Sequence, residues 1–146
     1  MVTSKKCLAK YGTPDIKMEY GHMMLWDVPE WINKEIPTIP NKIYCNRNLV
    51  GALLEAFCNI VERCLQDEIK TWDGCFNIRL VRGSHDPNNW SLHSFGIAID
   101  INAAWNRLGH EPTMSTDLVK CFTDAGFDWG GNWKRKDGMH FQLAKI

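Results

Sequence analysis

The chain has 146 residues, of which 45% are hydrophobic and 23% are charged, and its 17 basic and 17 acidic residues cancel. This length is enough for one domain with a hydrophobic core and too short for two. A chain with equal numbers of basic and acidic residues lacks the basic excess that proteins use to bind nucleic acids or anionic lipids. No apolar run approaches the ~20 residues of a membrane helix. We therefore expect neither nucleic-acid binding nor membrane insertion.

The N-terminal region is polar, and the apolar stretch of a secretory signal does not follow residues 1–6. We therefore expect a soluble domain made in the cytoplasm. Residues 1–23 are rich in turn-forming residues and predict a loosely held N-terminal arm, whereas residues 24–146 predict a single folded domain. The six cysteines include no Cys-x-x-Cys pair, which favours reduced thiols over disulfides or a cysteine metal site.

The first strongly periodic segment follows an irregular, proline-containing stretch at residues 26–40. Asn46 can cap a helix in which apolar residues recur at helical spacing as far as Leu65. Residues 76–82 alternate between apolar and polar side chains and predict a strand, with Ile78 facing the core.

The remaining elements are shorter. Residues 96–101 predict a second strand, Ser115 or Thr116 can cap a short helix that ends at Gly126, and residues 139–143 predict a last strand. The pattern is typical of an α+β domain, with a small antiparallel sheet and helices packed on one face.

The two late strands carry the candidate functional residues. Side chains alternate along a strand, so Asp100 and His140 both point away from the face that builds the core. His93 precedes the first of these strands by a short turn and can fold over the same spot. Two imidazoles and one carboxylate are a known ligand set for a catalytic zinc ion, which keeps one position for water. We therefore predict a zinc site at His93, Asp100 and His140.

Two further charged residues fit this chemistry. Asp137 lies three positions before His140, where its carboxylate can act as a general base on the attacking water. Arg79 lies on the polar face of its predicted strand, where it can bind a substrate carboxylate or stabilise an oxyanion, and Arg82 is a further candidate. Each residue taken singly also fits a structural hydrogen bond or a solvated charge.

Two motifs resemble those of a known family. The sequence of residues 91–100, SLHSFGIAID, resembles the SxHxxGxAxD signature of the zinc D-Ala-D-Ala carboxypeptidases and L-alanyl-D-glutamate endopeptidases, the VanY-like family. Residues 137–141, DGMHF, resemble that family's closing motif in its phage-endolysin version, which has Asp instead of Glu as the base. Residues 79–84 and 127–133 are also similar to family members.

The resemblance implies roles for the matched residues. His93, Asp100 and His140 would be the zinc ligands and Asp137 the catalytic base. An upstream arginine would bind substrate, and we choose Arg79 for this role. Ser91 belongs to the signature and is expected on the substrate-binding side. There it would stabilise a turn and not act as a nucleophile, because the metal would occupy His93. The implied fold is the small antiparallel sheet with helices shared with lysostaphin-type peptidases and the hedgehog domain.

The implied activity is hydrolysis of a bond in the stem peptide of peptidoglycan by zinc-activated water. Similarity to phage endolysins favours the L-Ala–D-Glu bond, and it implies that the protein reaches the wall from the host cytoplasm after holin-type release. The sequence pattern suggests no large exposed interface, so we expect a monomer. One alternative is a D-Ala-D-Ala carboxypeptidase with the same zinc site. Others are a non-catalytic zinc-binding interaction module and a purely structural protein.

Several polar and aromatic residues remain outside these motifs. His22 and His110 are expected to be structural, and His85 and Asp86 are expected to be solvated loop residues. The tryptophans that can either line a cleft or pack in the core are Trp105, Trp129 and Trp133.

Overall fold

The computed structural model describes residues Met1–Ile146. Its regular structure consists of five α-helices and two antiparallel sheets. The helices are α1 (Ser4–Tyr11), α2 (Ile16–His22), α3 (Glu30–Glu35), α4 (Arg47–Glu62) and α5 (Thr116–Thr123), and the strands are β1 (Met23–Asp27), β2 (Lys42–Asn46), β3 (Trp72–Gly74), β4 (Ala98–Ile101), β5 (Phe127–Trp129) and β6 (His140–Leu143). None of these helices has the length and apolar composition of a membrane span.

The larger sheet has the strand order β3-β4-β6-β5, and all its neighbouring strands are antiparallel. β4 and β6 lie at its centre, and their register places Asp100 directly opposite His140. β1 and β2 form a separate two-stranded sheet. The register of the central pair thus brings together two polar residues that are 40 positions apart in the sequence.

Helices α4 and α5 pack against the apolar residues of the larger sheet. Phe57 of α4 meets Trp72 edge-on, with ring centroids 6.3 Å apart, and Phe122 of α5 stacks on Phe141 at 4.3 Å. Burial of one such side chain stabilises the fold by about 1.5–3 kcal/mol. The apolar residues in and beside the two central strands that are at most 1% exposed are Ile97, Ala98, Ile99, Ile101 and Phe141. The predicted α+β class, with a small antiparallel sheet and packed helices, is confirmed.

Both predicted helices begin at the expected caps. The Asn46 side chain accepts a hydrogen bond from the Asn48 amide at 3.0 Å at the start of α4, and the Ser115 hydroxyl accepts one from the Leu118 amide at 3.0 Å at the start of α5. Each bond satisfies an amide that has no partner within the helix, and it stabilises the helix by about 0.5–2 kcal/mol.

The predicted strand over residues 76–82 is wrong. β3, at residues 72–74, pairs with β4 instead, and residues 76–82 contribute a single bridge between Leu80 and Trp90. The buried Ser94 hydroxyl accepts a hydrogen bond from the Arg79 amide at 3.0 Å and lies 2.9 Å from the Arg79 carbonyl oxygen. These side-chain contacts tie the segment to a turn, and Ile78 is 41% exposed instead of facing the core.

The N-terminal residues are folded rather than loosely held. They form α1 and α2, and Cys7, Tyr11 and Met18 belong to the hydrophobic core. The Thr3 and Asp15 side chains cap the two helices. The expectation of a loose arm is therefore wrong, because the apolar face of these helices packs in the hydrophobic core. The division of the chain at residue 23 stays a prediction. The stretch at residues 26–40, expected to be irregular, contains α3 and the last two residues of β1.

Candidate active site

A cleft of about 810 Å³ lies over Asp100, Asp137 and His140. Its other walls come from residues 1–4, from the loop before β4, from residues 107–110 and from the segment that leads into β6. Segments distant in sequence therefore meet around the polar face of the two central strands.

His93 lies in a short 3-10 turn, Leu92–Phe95, just before β4. The Ser91 hydroxyl accepts a hydrogen bond from the His93 amide at 3.4 Å, so Ser91 caps this turn as expected. Gly96 ends the turn with a φ of 67°, and a Cβ atom there would lie 2.6 Å from the Met23 side chain. Only glycine combines this φ with such a close approach at low cost. The turn therefore fixes the position of the His93 ring.

The backbone holds the ring nitrogen of His93 that faces away from Asp100. Nδ1 lies 2.7 Å from the carbonyl oxygen of Cys75. A carbonyl oxygen can only accept, so Nδ1 carries the hydrogen and the neutral ring keeps a lone pair on Nε2. Nε2 points inward and lies 3.1 Å from Oδ2 of Asp100. His93 is 4% exposed, so water cannot readily satisfy this nitrogen.

A side chain holds the ring nitrogen of His140 that faces away from Asp100. The amide nitrogen of Gln142 donates to the carbonyl oxygen of Val2 at 3.3 Å, which turns Oε1 of Gln142 toward Nε2 of His140 at 3.0 Å. Oε1 can only accept, so Nε2 carries the hydrogen and the lone pair lies on Nδ1. Nδ1 then lies 3.4 Å from Oδ1 of Asp100.

These three side chains fit a zinc ion. Their donor atoms lie within 4.8 Å of one another, and both Nε2 of His93 and Oδ1 of Asp100 are buried without a hydrogen-bond partner. Lone pairs that face one another in a buried site repel unless a cation or a proton lies between them. Ligand atoms of a tetrahedral zinc stand about 3.3 Å apart, because each lies about 2.0–2.1 Å from the metal. The distances of 3.1 and 3.4 Å from the two imidazoles to Asp100 match this spacing.

The charges of the ligand set are coupled. When no metal is bound, a protonated His140 or His93 ring can donate to Asp100. Burial raises the pKa of the Asp100 carboxyl, but these hydrogen bonds and charges outweigh burial and hold that pKa well below its usual range. Burial lowers the pKa of His140, whereas the hydrogen bond of its protonated ring to Asp100 and the nearby carboxylate charges raise it more, so the net pKa lies above the ordinary value. Asp100 is therefore an anion at neutral pH, the state in which it binds a metal.

Asp137 lies in the same cleft, in a tight turn before β6. Its amide donates to the Gly130 carbonyl at 2.9 Å, and its carbonyl accepts from the His140 amide at 3.1 Å. A Cβ atom at Gly130 would lie 2.5 Å from the Asp137 carbonyl oxygen, so the turn requires glycine there. Burial raises the pKa of the Asp137 carboxyl, and the nearby positive groups do not fully offset it. A raised pKa suits a carboxyl group that takes up and returns a proton.

The three predicted substrate-binding residues, Arg79, Arg82 and Ser91, all line the cleft. The Arg79 side chain is half-buried and Arg82 is exposed. Arg79 reaches the cleft from the irregular segment described above, not from the polar face of a strand as expected. The substrate contacts of all three stay predictions.

Several cleft residues were not foreseen. His110 was expected to be structural, yet it lines the cleft, together with Lys134 and Arg135 of the short basic run at residues 134–136. Trp90, Arg107 and the N-terminal residues 1–4 line it as well. These residues come from loops without a periodic pattern, and only the basic run, which adjoins Asp137, gave a signal in the sequence.

The remaining candidates lie elsewhere. His85 and Asp86 are exposed and do not line the cleft. Of the three tryptophans, Trp133 lines the cleft, with its ring 5.4 Å from that of His140. Trp129 packs on Phe141, and the Trp105 ring lies under the Lys70 ammonium.

Comparison with known proteins finds a peptidase family that is similar to the segment containing this site. The chain has some similarity to the crystal structure of the L-Ala D-Glu endopeptidase ChiX from Serratia marcescens, with 18% identity, a TM-score of 0.45, and coverage of 80% of this chain and 88% of that one. No curated protein sequence matches the chain. Residues 84–143 match the peptidase M15 family model described as D-alanyl-D-alanine carboxypeptidase, and this segment contains all three candidate ligands and Asp137. Over residues 84–143, the chain is therefore similar to this peptidase family.

Proposed function

We propose that this protein is a peptidase that hydrolyses a bond in the stem peptide of peptidoglycan, with a zinc ion held by His93, Asp100 and His140. One observation carries the proposal: a nitrogen of each of two imidazoles lies 3.1 and 3.4 Å from the Asp100 carboxylate, and Asp100 and His140 line a cleft. Three protein ligands leave a position for substrate or water, which is typical of catalytic zinc sites. When bound, zinc supplies a Lewis acid for the scissile carbonyl and the attacking water.

The side chains around this position supply the proton chemistry. The Asp137 carboxylate accepts a proton from the attacking water and then returns it to the leaving amine. Its raised pKa supports both steps, because the carboxyl group holds the proton more readily than an exposed aspartate does. The guanidinium of Arg79 lies in the same cleft, where it can bind a substrate carboxylate.

We propose the L-Ala–D-Glu bond as the bond that is cut, on the basis of the resemblance of residues 137–141 to the endolysin form of the closing motif. A D-Ala-D-Ala carboxypeptidase activity is the second candidate, and the description of the matching family model favours it. Both reactions use the same ligands and the same base, so the substrate decides between them.

Mass spectrometry of peptidoglycan fragments tests the proposal directly. Purified walls are digested with the zinc-loaded protein, with and without a chelator. New amino groups on D-glutamate that disappear with chelator and return with zinc would support the endopeptidase. Release of free D-alanine would identify the carboxypeptidase. Absence of cleavage by a folded, zinc-loaded sample would contradict both and favour a non-catalytic zinc-binding module.

We also propose that the protein acts as a phage endolysin, as a monomer released onto the wall through a holin. The Asp form of the base motif supports this role. Co-expression with a holin in a bacterial host tests it: lysis should require the holin and an intact Asp137. Lysis that is equally fast without the holin would contradict the proposed route.

A further inference from the structure

The cleft is cationic although the whole chain is neutral. Its basic and acidic residues cancel at 17 each. Two carboxylates, Asp100 and Asp137, line the cleft, and Asp100 belongs to the candidate ligand set. The permanently cationic residues that line it are Arg79, Arg82, Arg107, Lys134 and Arg135. The charges of the molecule are therefore unevenly distributed, and a bound zinc ion would make the cleft still more positive.

These five cations have no anionic partner in the protein. The ion pairs with a nitrogen–oxygen distance of at most 4.0 Å involve other lysines and arginines or the site histidines. Arg135 donates to the carbonyl oxygen of Arg82 at 2.8 Å, and Arg79 donates to that of Leu80 at 3.3 Å. A neutral acceptor orients a guanidinium without cancelling its charge. Like charges concentrated in a cleft raise its potential and attract anions.

The loops that carry the cations are fixed to one another. The bond from Arg135 to the Arg82 carbonyl joins the segment before β6 to the loop before β4. The Gly109 amide donates to the Lys136 carbonyl at 2.7 Å, which joins the loop of Arg107 to the same segment. Asn106 accepts from the Thr113 amide at 2.8 Å and holds that loop closed. The positive groups thus lie on connected walls, which limits the cost of ordering them around a ligand.

We infer that this cleft selects a peptide with at least two free carboxylates close to the scissile bond, an inference that rests on the proposed function. Arg79 lies within electrostatic reach of Asp137 and can take a carboxylate beside the reacting bond. A second carboxylate of the substrate can then bind the remaining cations, which are Arg107, Lys134 and Arg135. A stem peptide with unamidated D-glutamate followed by meso-diaminopimelate supplies both charges. A stem peptide with D-isoglutamine followed by lysine lacks these two carboxylates, while the third residue of each peptide carries one ammonium group.

Binding measured without turnover tests this selection. The zinc-loaded Asp137→Asn variant is titrated by calorimetry with L-Ala-γ-D-Glu-meso-diaminopimelate and with L-Ala-γ-D-isoglutaminyl-L-Lys. The first peptide has three free carboxylates and the second has only its C-terminal one, so they differ by the two carboxylates in question. We expect the diaminopimelate peptide to bind at least about tenfold more tightly at low salt, and the difference to shrink with salt because ions screen exposed charges. Equal affinities for the two peptides would overturn the inference.

A pair of charge-matched variants locates the effect. Arg107→Gln with Arg135→Gln, made in the Asp137→Asn background, should reduce the preference severalfold. Lys34→Gln with Lys145→Gln removes two exposed charges outside the cleft and should leave the preference unchanged. An equal reduction in both double variants would overturn the assignment to the cleft.

Hydrolysis by the native protein separates this inference from the proposed function. If the protein cuts both peptides equally well and binds them equally, the proposed function stands and the charge selection fails. If it binds the diaminopimelate peptide selectively but cuts no stem peptide, the selection stands and the proposed function fails.

Discussion

At the scale of single residues, the candidate ligands and the proposed base are expected to have separate roles, and substitution can separate them. His93→Ala removes an inward-facing imidazole and should abolish both zinc binding and hydrolysis. Asp137→Asn leaves the three ligand side chains in place, so zinc should stay bound while kcat falls by about 10²–10⁴, as expected for loss of a general base. Zinc content by atomic absorption and fragment release from walls measure the two effects. Full activity of Asp137→Asn would show that another group takes the proton.

Asp137 should also destabilise the folded protein when no metal is bound. Because burial raises its pKa, its charged form is disfavoured in the folded protein relative to the unfolded chain. In chelator at pH 7, Asp137→Asn should therefore raise the melting temperature. The gain should shrink as the pH falls through the raised pKa, since the native carboxyl then becomes neutral. A gain that is constant with pH would exclude the charge as its cause.

Gln142 positions His140, a candidate zinc ligand, and a pair of substitutions at Gln142 tests this role. Both Gln142→Leu and Gln142→Glu lose the donor to Val2, but only the leucine variant loses the acceptor for Nε2 of His140. We expect the leucine variant to bind zinc about 10–100-fold more weakly, as is typical when the partner of a ligand histidine is removed. The glutamate variant should retain more of the affinity. Competition with a chromogenic chelator measures it, and equal losses in both variants would contradict the positioning role.

At the scale of elements, the turn before β4 and the register of β4 with β6 assemble the site. Gly96→Ala should destabilise the protein by about 1–3 kcal/mol, because a φ of 67° and the close approach to Met23 both oppose a side chain. Gly51→Ala is a control within α4, where a Cβ atom meets nothing within 4 Å. It should stabilise the protein by about 0.4–1 kcal/mol. Chemical denaturation measures both, and a neutral Gly96→Ala would exclude strain in this turn.

The elements that hold the ligands could be predicted because their local patterns are strong. Alternation placed Asp100 and His140 on one face, and the cap at Asn46 and the helical period defined α4. The segment at residues 76–82 alternates equally well but is not a strand, since the Ser94 side chain takes the hydrogen bonds of Arg79. A contact between residues 15 positions apart leaves no trace in a local pattern.

The cationic cleft emerges only at the scale of the whole molecule. Composition averages the charge over the entire surface, so a neutral total gave no sign of it. The loop of residues 102–113 brings Arg107 and His110 to the cleft, and the side chains of Asn102 and Asn106 hold it in place. Such contacts follow no period, so these residues could not be assigned to the site in advance.

The N-terminal residues have a practical consequence for any study of this protein. Residues 1–4 line the cleft, Val2 is 5% exposed, and the Ser4 hydroxyl donates to the Asn88 carbonyl at 2.8 Å and accepts from the Trp90 amide at 2.9 Å. A purification tag fused before Met1 would therefore emerge from the protein surface next to the cleft. It would also disturb Val2, whose carbonyl oxygen orients the Gln142 side chain. Recombinant protein for wall-digestion assays should carry its tag after Ile146, or have an N-terminal tag removed by a protease before zinc is added.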